Sequence, residues 1–296
     1  MIVVLFLVVI GSASSDKFLT SDNLINVLRQ ISIIGTAALG ATFVILTSGI
    51  DLSVGPVMVL CTMFVGLFQH LPMFISIPAV LLISAVCGAI NGVFVAYLRF
   101  PPFIATFATM SAFGGIAYVV STGIRVVISE RAWWTLGSGM IASWIPVPVL
   151  IFLGMAIFCW AVLQYTRFGR NTYGLGINET AVMYAGHNVA RVKLGIYTVA
   201  GLLAGVAGIL LAGRLREADP GLVFYYTLDC IAAVALGGTQ LEGGFGGIGR
   251  TVAGALVIGL ISNIMNLLNI SAYYQQAIKG IIILISLAIF KRRLEQ

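Results

Sequence analysis

The stretch TSGIDLSVGP, residues 47–56, decides how this chain folds, because it places a carboxylate between two long apolar segments. Runs reading ALGATFVIL and VMVLCTMFVGLF flank it, and Asp51 lies between Gly49 and Gly55, just ahead of Pro56. Glycine relaxes the backbone, and proline cannot continue the hydrogen-bond ladder of a helix. The stretch therefore predicts a turn between two apolar helices that dips into a helical bundle, where protein or a cavity covers the irregular backbone.

The composition of the chain fits a lipid environment. Of 296 residues, 60% are hydrophobic and only 9% are charged, whereas soluble domains carry about 25% charged residues. The net charge of +6 fits the Lys and Arg that membrane proteins gather in cytoplasmic loops better than nucleic-acid binding. The sequence predicts an all-α integral membrane protein with one transmembrane domain over residues 1–296, and no part is left for a soluble domain.

The apolar runs predict about ten transmembrane helices, some of them broken or re-entrant, since each span needs about 20 apolar residues. An even number places both termini on one side, and the basic C-terminal run KRRLEQ indicates the cytoplasm. The first run is short and precedes the small residues GSASS; we interpret it as an incomplete span, with a signal peptide as the alternative. The predicted spans are residues 1–11, 27–47, 53–70, 74–98, 103–121, 146–165, 194–213, 226–247, 251–268 and 273–290.

Polar residues inside the apolar runs are candidates for a hydrophilic path. A carboxylate at the bilayer centre costs about 2.5–3.5 kcal/mol on insertion scales, so it needs water, protein or a broken helix around it. For Asp51 the alternative role is capping of the next helix, and for the others it is hydrogen bonding between helices. Asn91 and Asn263 would correspond in a five-plus-five inverted repeat, which is a hypothesis. The predicted path consists of Asp51, Asn91, Asp229, Asn263 and Asn266.

A second glycine-rich break, ALGGTQLEGGFGGIGR, covers residues 235–250. It is not a phosphate-binding loop, because no GK[ST] follows it and the dipeptide GK occurs nowhere in the chain. An ATPase that drives this protein would be another polypeptide, which binds ATP and Mg, so we predict no cofactor in this chain. The four cysteines are scattered singly, which predicts no metal site. The predicted helix breaks are Gly49, Gly55, Pro56, Gly237, Gly238, Gly243 and Gly244.

The longest polar connection, residues 165–193, is basic and is predicted to lie in the cytoplasm. It carries Arg167, Arg170, Arg191 and Lys193 against one acid, Glu179. The loop after the fifth span, rich in Trp and Gly, and the charge-balanced loop RLREADPG fall on the opposite side. The basic connection is polar and contains helix-forming residues, which suits docking on a partner; a merely solvated loop is the alternative.

Five segments together resemble the permease subunits of ribose/galactose-type bacterial ABC importers. They read GATFVILTSGIDLSVGPVMVL, INGVFVAYLRFPPFIATFATM, GRNTYGLGINETAVMYAGHNVARVK, LDCIAAVALGGTQLEGGFGGIGRTVAGALVIGLISN and YYQQAIKGIIIL. The resemblance runs in order from Ser21 to the C-terminus, and the GIDLSVG and ALGG segments are specific to that group. The N-terminus departs from the family, whose first span is normally complete and preceded by a basic tail.

The resemblance implies a bacterial inner-membrane assembly that imports a monosaccharide. Its partners are cytoplasmic ATP-binding subunits, a second permease copy or related chain, and a periplasmic or lipid-tethered sugar-binding protein. The family's cytoplasmic coupling element, E-A-A…G, matches Glu179, Thr180, Ala181 and Gly186, with Thr180 in place of the usual alanine. The residues implied in coupling to the ATPase are Asn178, Glu179, Thr180, Ala181, Gly186 and Arg191.

Other functions stay open from the sequence. An ion-coupled secondary transporter would use Asp51, Asp229 or Lys279 and need no ATPase. An intramembrane enzyme lacks support, since the sequence has no HExxH and no G-x-S-x-G motif. Within the importer family, the cargo is a pentose or hexose such as ribose, xylose or galactose, with a nucleoside, a polyol or an autoinducer-like sugar derivative as alternatives.

Overall fold

Apolar helices follow one another through a computed structural model that describes residues 2–142, 144–271 and 273–282. A short 3-10 helix covers Pro220–Leu222. Residues 273–282 form a further helical segment. The α-helices are α1 (Ile2–Ser14), α2 (Ser21–Leu46), α3 (Val54–Phe68), α4 (Met73–Ala96), α5 (Pro102–Val120), α6 (Arg131–Ser138), α7 (Val147–Tyr165), α8 (Arg167–Tyr184), α9 (Val189–Leu215), α10 (Tyr225–Leu236) and α11 (Ile248–Leu267).

Six helices among the described residues are long and apolar enough to cross a membrane, namely α2, α4, α5, α7, α9 and α11. Helices α1, α3 and α10 have 13, 15 and 12 residues and are shorter than the roughly 20 residues of a full span. The tenth predicted span, residues 273–290, lies partly outside the described residues. A mostly helical chain with apolar helices of membrane-spanning length is confirmed, whereas the count of ten spans and the inverted repeat stay predictions.

The predicted span over residues 226–247 is wrong in its second half, because α10 ends at Leu236 and residues 237–247 are not helical. Gly238 has φ of +91° and Gly247 has φ of +150°, values that an α-helix does not contain. Helix α2 also begins earlier than predicted, at Ser21 rather than residue 27. Asp22 in its first turn favours this early start, since a negative charge stabilises a helix N-terminus.

Helices α2 and α9 form the centre of the bundle, and α9 packs against α2, α3, α4 and α6. The GLLAG spacing predicts close approach of helix backbones, and α9 meets α4 in this way. A methyl group added at Gly201 would clash with the carbonyl oxygen of Ser84, and at Gly205 it would clash with the Ser84 hydroxyl. The small residues therefore fix the crossing of α4 and α9.

Two small antiparallel sheets join the loops at the end of the bundle where α9 finishes. Strand β1 (Val126–Val127) pairs with β4 (Glu217–Ala218), and β2 (Met140–Ile141) pairs with β3 (Ile145–Pro146). Leu46 at the end of α2 and Lys193 near the start of α9 mark the opposite end. We call the end with the two sheets the loop end of the bundle, and the end with Leu46 and Lys193 the α8 end.

Candidate functional site

The turn that carries Asp51 is buried and held by its own side chains. Asp51 is only 5% exposed, and its Oδ1 accepts hydrogen bonds from the Ser53 backbone N at 2.8 Å and the Ser53 Oγ at 2.7 Å. Ser53 is the residue that precedes α3, but its side chain donates to Asp51 and makes no capping bond to the helix. The carboxylate therefore fixes the start of α3.

Asn91 lies in the same hydrogen-bond network, which connects four elements. Its Nδ2 donates to Ser53 Oγ at 2.7 Å, and its Oδ1 accepts from Thr109 Oγ1 at 2.6 Å. The Thr106 hydroxyl binds the backbone of the turn, and the Thr227 hydroxyl donates to the Leu52 carbonyl at 3.2 Å. The structure thus brings predicted path residues Asp51 and Asn91 together. Sequence reasoning missed the threonines, although Thr106 and Thr109 share one helix face.

Asp229 lies in a second polar cluster, away from the Asp51 network. Its Oδ2 is 2.7 Å from Lys279 Nζ, and both side chains are at most 5% exposed. Nearby in sequence, Gln275 Nε2 donates to Asn266 Oδ1 at 2.8 Å. The acidic charge of Asp229 is therefore balanced within the chain.

Asn263 pairs with Asn23 rather than with the other predicted path residues. The two amides exchange hydrogen bonds of 2.7 and 3.0 Å, which tie the end of α11 to the start of α2. Both polar groups of the Asn263 side chain have a protein partner in this arrangement. This geometry supports the helix-to-helix role that the sequence left open for such residues.

A cavity of about 240 Å³ opens at the loop end, between α2, α9, α10 and α11. We call it the Tyr226 cavity. Asn266 is the one predicted path residue in its wall, and no sequence motif pointed to the other polar members. The lining consists of Gln30, Ile33, Ile34, Leu211, Arg214, Leu215, Tyr225, Tyr226 and Asn266.

The basic connection folds into two helical pieces that meet at Asn178. Asn178 has non-helical angles, φ −161° and ψ 101°, and its Oδ1 accepts a hydrogen bond of 3.0 Å from Ala181 N. This is an N-cap in the middle of α8, and it starts a separate helical turn that holds Glu179, Thr180 and Ala181. Gly186, with φ of +82°, turns the chain toward α9.

Glu179 borders a groove of about 880 Å³ at the α8 end. Its Oε2 is 2.6 Å from Lys193 Nζ, while Arg191 lies in the first turn of α9, where Asn188 caps its backbone N at 3.0 Å. The opposite wall comes from the α4–α5 loop, which sequence reasoning did not implicate. Residues of that wall are Arg99, Phe100, Pro101 and Pro102.

Helix α8 packs directly on both predicted helix breaks. A methyl group added at Gly176 would clash with the Leu46 carbonyl and the Gly244 backbone N. Gly244 N itself donates to Leu46 O at 3.0 Å, and Tyr173 Oη donates to Gly246 O at 3.1 Å. Burial raises the pKa of the Tyr173 phenol, and the positive charge of Arg250 opposes that shift. We call this contact the α8 junction.

The other predicted breaks lie where helices must approach one another or turn. A methyl group at Gly55 would clash with the Thr227 hydroxyl, and one at Gly237 with the Arg250 carbonyl. One at Gly49 would come within 3.0 Å of the Tyr197 hydroxyl. Gly55 and Pro56 do not themselves interrupt a helix, because both lie in the first turn of α3, just after the non-helical residues 47–53. A missing N–H costs no helical hydrogen bond in that turn. Gly243, with φ of +86°, does lie in a non-helical segment.

The two loops predicted to share one side do contact each other. Arg125, just before β1, forms ion pairs with two acids of the loop after α9. Its Nε lies 2.9 Å from Asp219 Oδ2, and its Nη1 lies 3.6 Å from Oε1 of Glu217 in β4. The Arg216 guanidinium lies 4.5 Å from the centre of the Trp134 ring. The loop end is therefore one ordered surface.

Within the described residues, no group of three His, Cys, Asp or Glu side chains is placed to hold a metal ion. The four cysteines are buried as free thiols.

Comparison with known proteins identifies the class. A family model described as a branched-chain amino acid transport system permease component matches residues 23–287. The chain therefore belongs to this family of multi-pass transport permeases. No solved structure matches the chain.

Within the family, the chain is similar to curated sugar permeases, which confirms the resemblance drawn from the motifs. It is 41% identical to the ribose import permease protein RbsC of Haemophilus influenzae, over 96% of this chain and 90% of that protein. It is 36% identical to the L-arabinose transport system permease protein AraH of Escherichia coli, over 90% and 82%. It is 33% identical to the D-allose transport system permease protein AlsC of Escherichia coli, over 97% and 89%.

Proposed function

We propose that this chain is the permease subunit of an ABC importer and carries a monosaccharide across the bacterial inner membrane. The observation that carries the proposal is the identity with ribose, arabinose and allose permeases over nearly the whole chain. These relatives share one class of cargo, a single sugar. The chain itself performs no covalent chemistry, and a separate subunit binds ATP and Mg and supplies the energy.

The bundle has about ten spans, counting the short helices and residues 273–290, with both termini in the cytoplasm. The α8 end then faces the cytoplasm, and the loop end faces the binding protein. Two copies, or two related chains, stand side by side. The path combines the Asp51–Asn91 network with Asp229 and Asn266, which lie in a different part of the bundle, whereas the bonds of Asn263 to Asn23 favour a helix-to-helix role for that residue.

Coupling follows from the position of the separate helical turn that Asn178 caps. This turn docks on the ATPase together with Gly186 and Arg191, and its movement is passed to α9 and, through the α8 junction, to α2. ATP binding changes which side the bundle opens to, because the ATPase makes different contacts in the two states. The exposed position of Glu179, with 53% of its side chain accessible, supports this contact.

An ion-coupled mechanism has less support from the geometry. Asp229 is balanced by Lys279 at 2.7 Å, and Asp51 already accepts two hydrogen bonds from Ser53. Lys279 would repel a cation from Asp229, and Asp51 offers a cation only Oδ2, the oxygen that Ser53 does not bind. Uptake is therefore expected to follow ATP and not a proton or sodium gradient.

The test is a pull-down of the tagged chain from its native membrane in mild detergent, with mass spectrometry of what accompanies it. We expect an ATPase that carries a GxxxxGK[ST] loop. Glu179→Arg is expected to abolish its retention and sugar uptake without unfolding the chain, since an exposed ion pair contributes about 0–1 kcal/mol. A chain that purifies alone and still moves solute in liposomes would contradict the proposal.

A charge swap separates two roles of Glu179. Glu179→Lys with Lys193→Glu restores the pair within the chain but reverses the charge offered to a partner. We expect uptake to stay lost in the swapped variant. Recovery would mean that Glu179 acts through Lys193 and not through the ATPase.

A further inference from the structure

The Tyr226 cavity has the size and chemistry of a sugar site. We infer that it holds one neutral monosaccharide during transport, with Gln30, Arg214, Tyr225, Tyr226 and Asn266 as the residues that contact it. The inference rests on the proposed function and adds where in the chain the sugar binds.

The volume suits a small ligand such as one sugar ring. The cavity measures about 240 Å³, which is below the roughly 300–1,000 Å³ of pockets that take drug-sized ligands. A disaccharide would extend out of the open side of the cavity.

The polar side chains of the lining are available to a ligand. Among the described residues, Gln30, Arg214, Tyr225 and Tyr226 have no side-chain hydrogen bond to protein, and Asn266 uses only its oxygen, toward Gln275. Among the described residues, the buried polar atoms without a partner belong to Arg29, Tyr197 and Ser262 and not to this lining, so the polar atoms of the lining are accessible to a ligand. Sugar hydroxyls both donate and accept, so one ring can satisfy an amide, a guanidinium and two phenols together.

Two adjacent tyrosines give the cavity an aromatic wall. The ring centres of Tyr225 and Tyr226 are 5.2 Å apart, and the planes meet at 75°, so the two rings present different faces. Aromatic rings offer a large apolar surface with a polar tip. The C–H face of a sugar can pack on one ring while its hydroxyls reach the other phenol.

The charges of the lining disfavour an amino acid. Arg214 is the one charged residue in the lining, and the nearest α10 acid, Asp229, is held by Lys279 at 2.7 Å. The same Lys279 Nζ lies 5.2 Å from the centre of the Tyr225 ring, so the ion pair positions the aromatic wall. An amino acid would need an acidic partner for its ammonium group, and the lining has none.

The cavity is also connected to the coupling segment through one helix. Arg214 and Lys193 are both in α9, about 30 Å apart at 1.5 Å per residue. Lys193 contacts Glu179 at the α8 end. A movement of α9 would therefore change the cavity and the coupling segment together.

The experiment is saturation-transfer NMR on the whole permease–ATPase complex in nanodiscs, without the binding protein. The probes are D-ribose, L-arabinose and D-allose, each measured separately, with maltose and leucine as comparisons. We expect a signal for at least one monosaccharide and none for maltose or leucine. Asn266→Leu and Tyr226→Leu should each weaken its binding by about fivefold to tenfold, the effect of one lost hydrogen bond.

The matched control is Leu228→Ala, on the same helix as Tyr226 but exposed and outside the lining. It should bind the sugar like the wild type. Gln30→Leu serves as a second lining variant if Asn266→Leu or Tyr226→Leu does not fold, as judged by the unfolding midpoint of the complex.

The outcomes separate this inference from the proposed function. Uptake of a monosaccharide by vesicles with the complete system, combined with no NMR signal or with equal binding by all variants, overturns the cavity site alone. Failure of the complete system to import any of the three sugars overturns the proposed function. A leucine signal that Asn266→Leu removes would overturn the neutral-sugar assignment.

Discussion

At the scale of single residues, Asp51 shows how one buried carboxylate serves the fold and can also serve transport. Both of its hydrogen bonds reach Oδ1 from Ser53, so an amide oxygen can accept them equally well. Charge and hydrogen bonding are therefore separable by substitution. In the sequence these two roles were indistinguishable alternatives.

Asp51→Asn is expected to lower uptake while leaving the unfolding midpoint nearly unchanged, because the Ser53 bonds persist and only the acidic group is lost. Asp51→Ala is expected to cost about 1–3 kcal/mol of stability as well, since it leaves buried Ser53 groups without a partner. Sugar uptake in vesicles and thermal unfolding in detergent measure the two effects. Full uptake by Asp51→Asn would leave Asp51 with a structural role only.

The Asp229–Lys279 pair is a second residue-scale test. Asp229→Asn or Lys279→Met alone leaves one buried charge without its partner, which costs on the order of 3–5 kcal/mol. The double variant removes both charges, and we expect it to be more stable than either single variant. A thiol-reactive dye reports unfolding, because all four cysteines are buried. Equal midpoints for the three variants would show that the pair contributes little.

At the scale of elements, α8 is divided by a residue that favours helix starts. Asn178 leaves the helical region and caps the next turn through Ala181 N. A sequence rich in Gly and Asn allows such a break but does not locate it. The position becomes evident once the backbone angles are known.

Asn178→Ala should weaken the separate turn by about 1 kcal/mol and reduce the uptake achieved per ATP hydrolysed. Asn178→Ser keeps a capping oxygen and should behave nearly like the wild type. Asn188→Ala, which removes the cap of α9 at Arg191 N, is the control for a general loss of capping. Equal coupling ratios for Asn178→Ala and Asn178→Ser would exclude the cap as the cause.

At the scale of the whole molecule, the α8 junction brings together segments that are far apart in the sequence. Gly176 lies against the end of α2 at Leu46 and against the non-helical segment between α10 and α11 at Gly244. The surrounding atoms are backbone atoms, which cannot move aside as a flexible side chain would. The junction is thus a rigid connection between the coupling segment and the bundle.

Gly176→Ala is expected to lower the unfolding midpoint and to uncouple ATP hydrolysis from uptake, because its methyl group forces α8 away from α2. Gly249→Ala is the matched control, since a methyl group there meets no atom within 4 Å. Thermal unfolding and the ratio of uptake to ATP hydrolysed measure both variants. Normal coupling in Gly176→Ala would show that the junction does not transmit the motion.

Much of this protein follows from its sequence. Apolar runs interrupted by glycine and proline predict membrane helices, because lipid leaves the backbone no other way to satisfy its hydrogen bonds. The same reasoning placed a break at Asp51 and a basic segment around Glu179. The specific motifs also identified the family, which the relatives confirm.

Only the tertiary structure decided which polar residues meet. Asn263 and Asn266 are one helical turn apart, yet Asn263 pairs with Asn23 and Asn266 faces the Tyr226 cavity. The end of α10 at Leu236 and the contribution of Gln30 and Arg214 to that cavity were likewise beyond the sequence. Apolar periodicity in lipid specifies that a helix forms, whereas the side-chain partners depend on how distant helices cross, and those crossings are set by close contacts at single small residues.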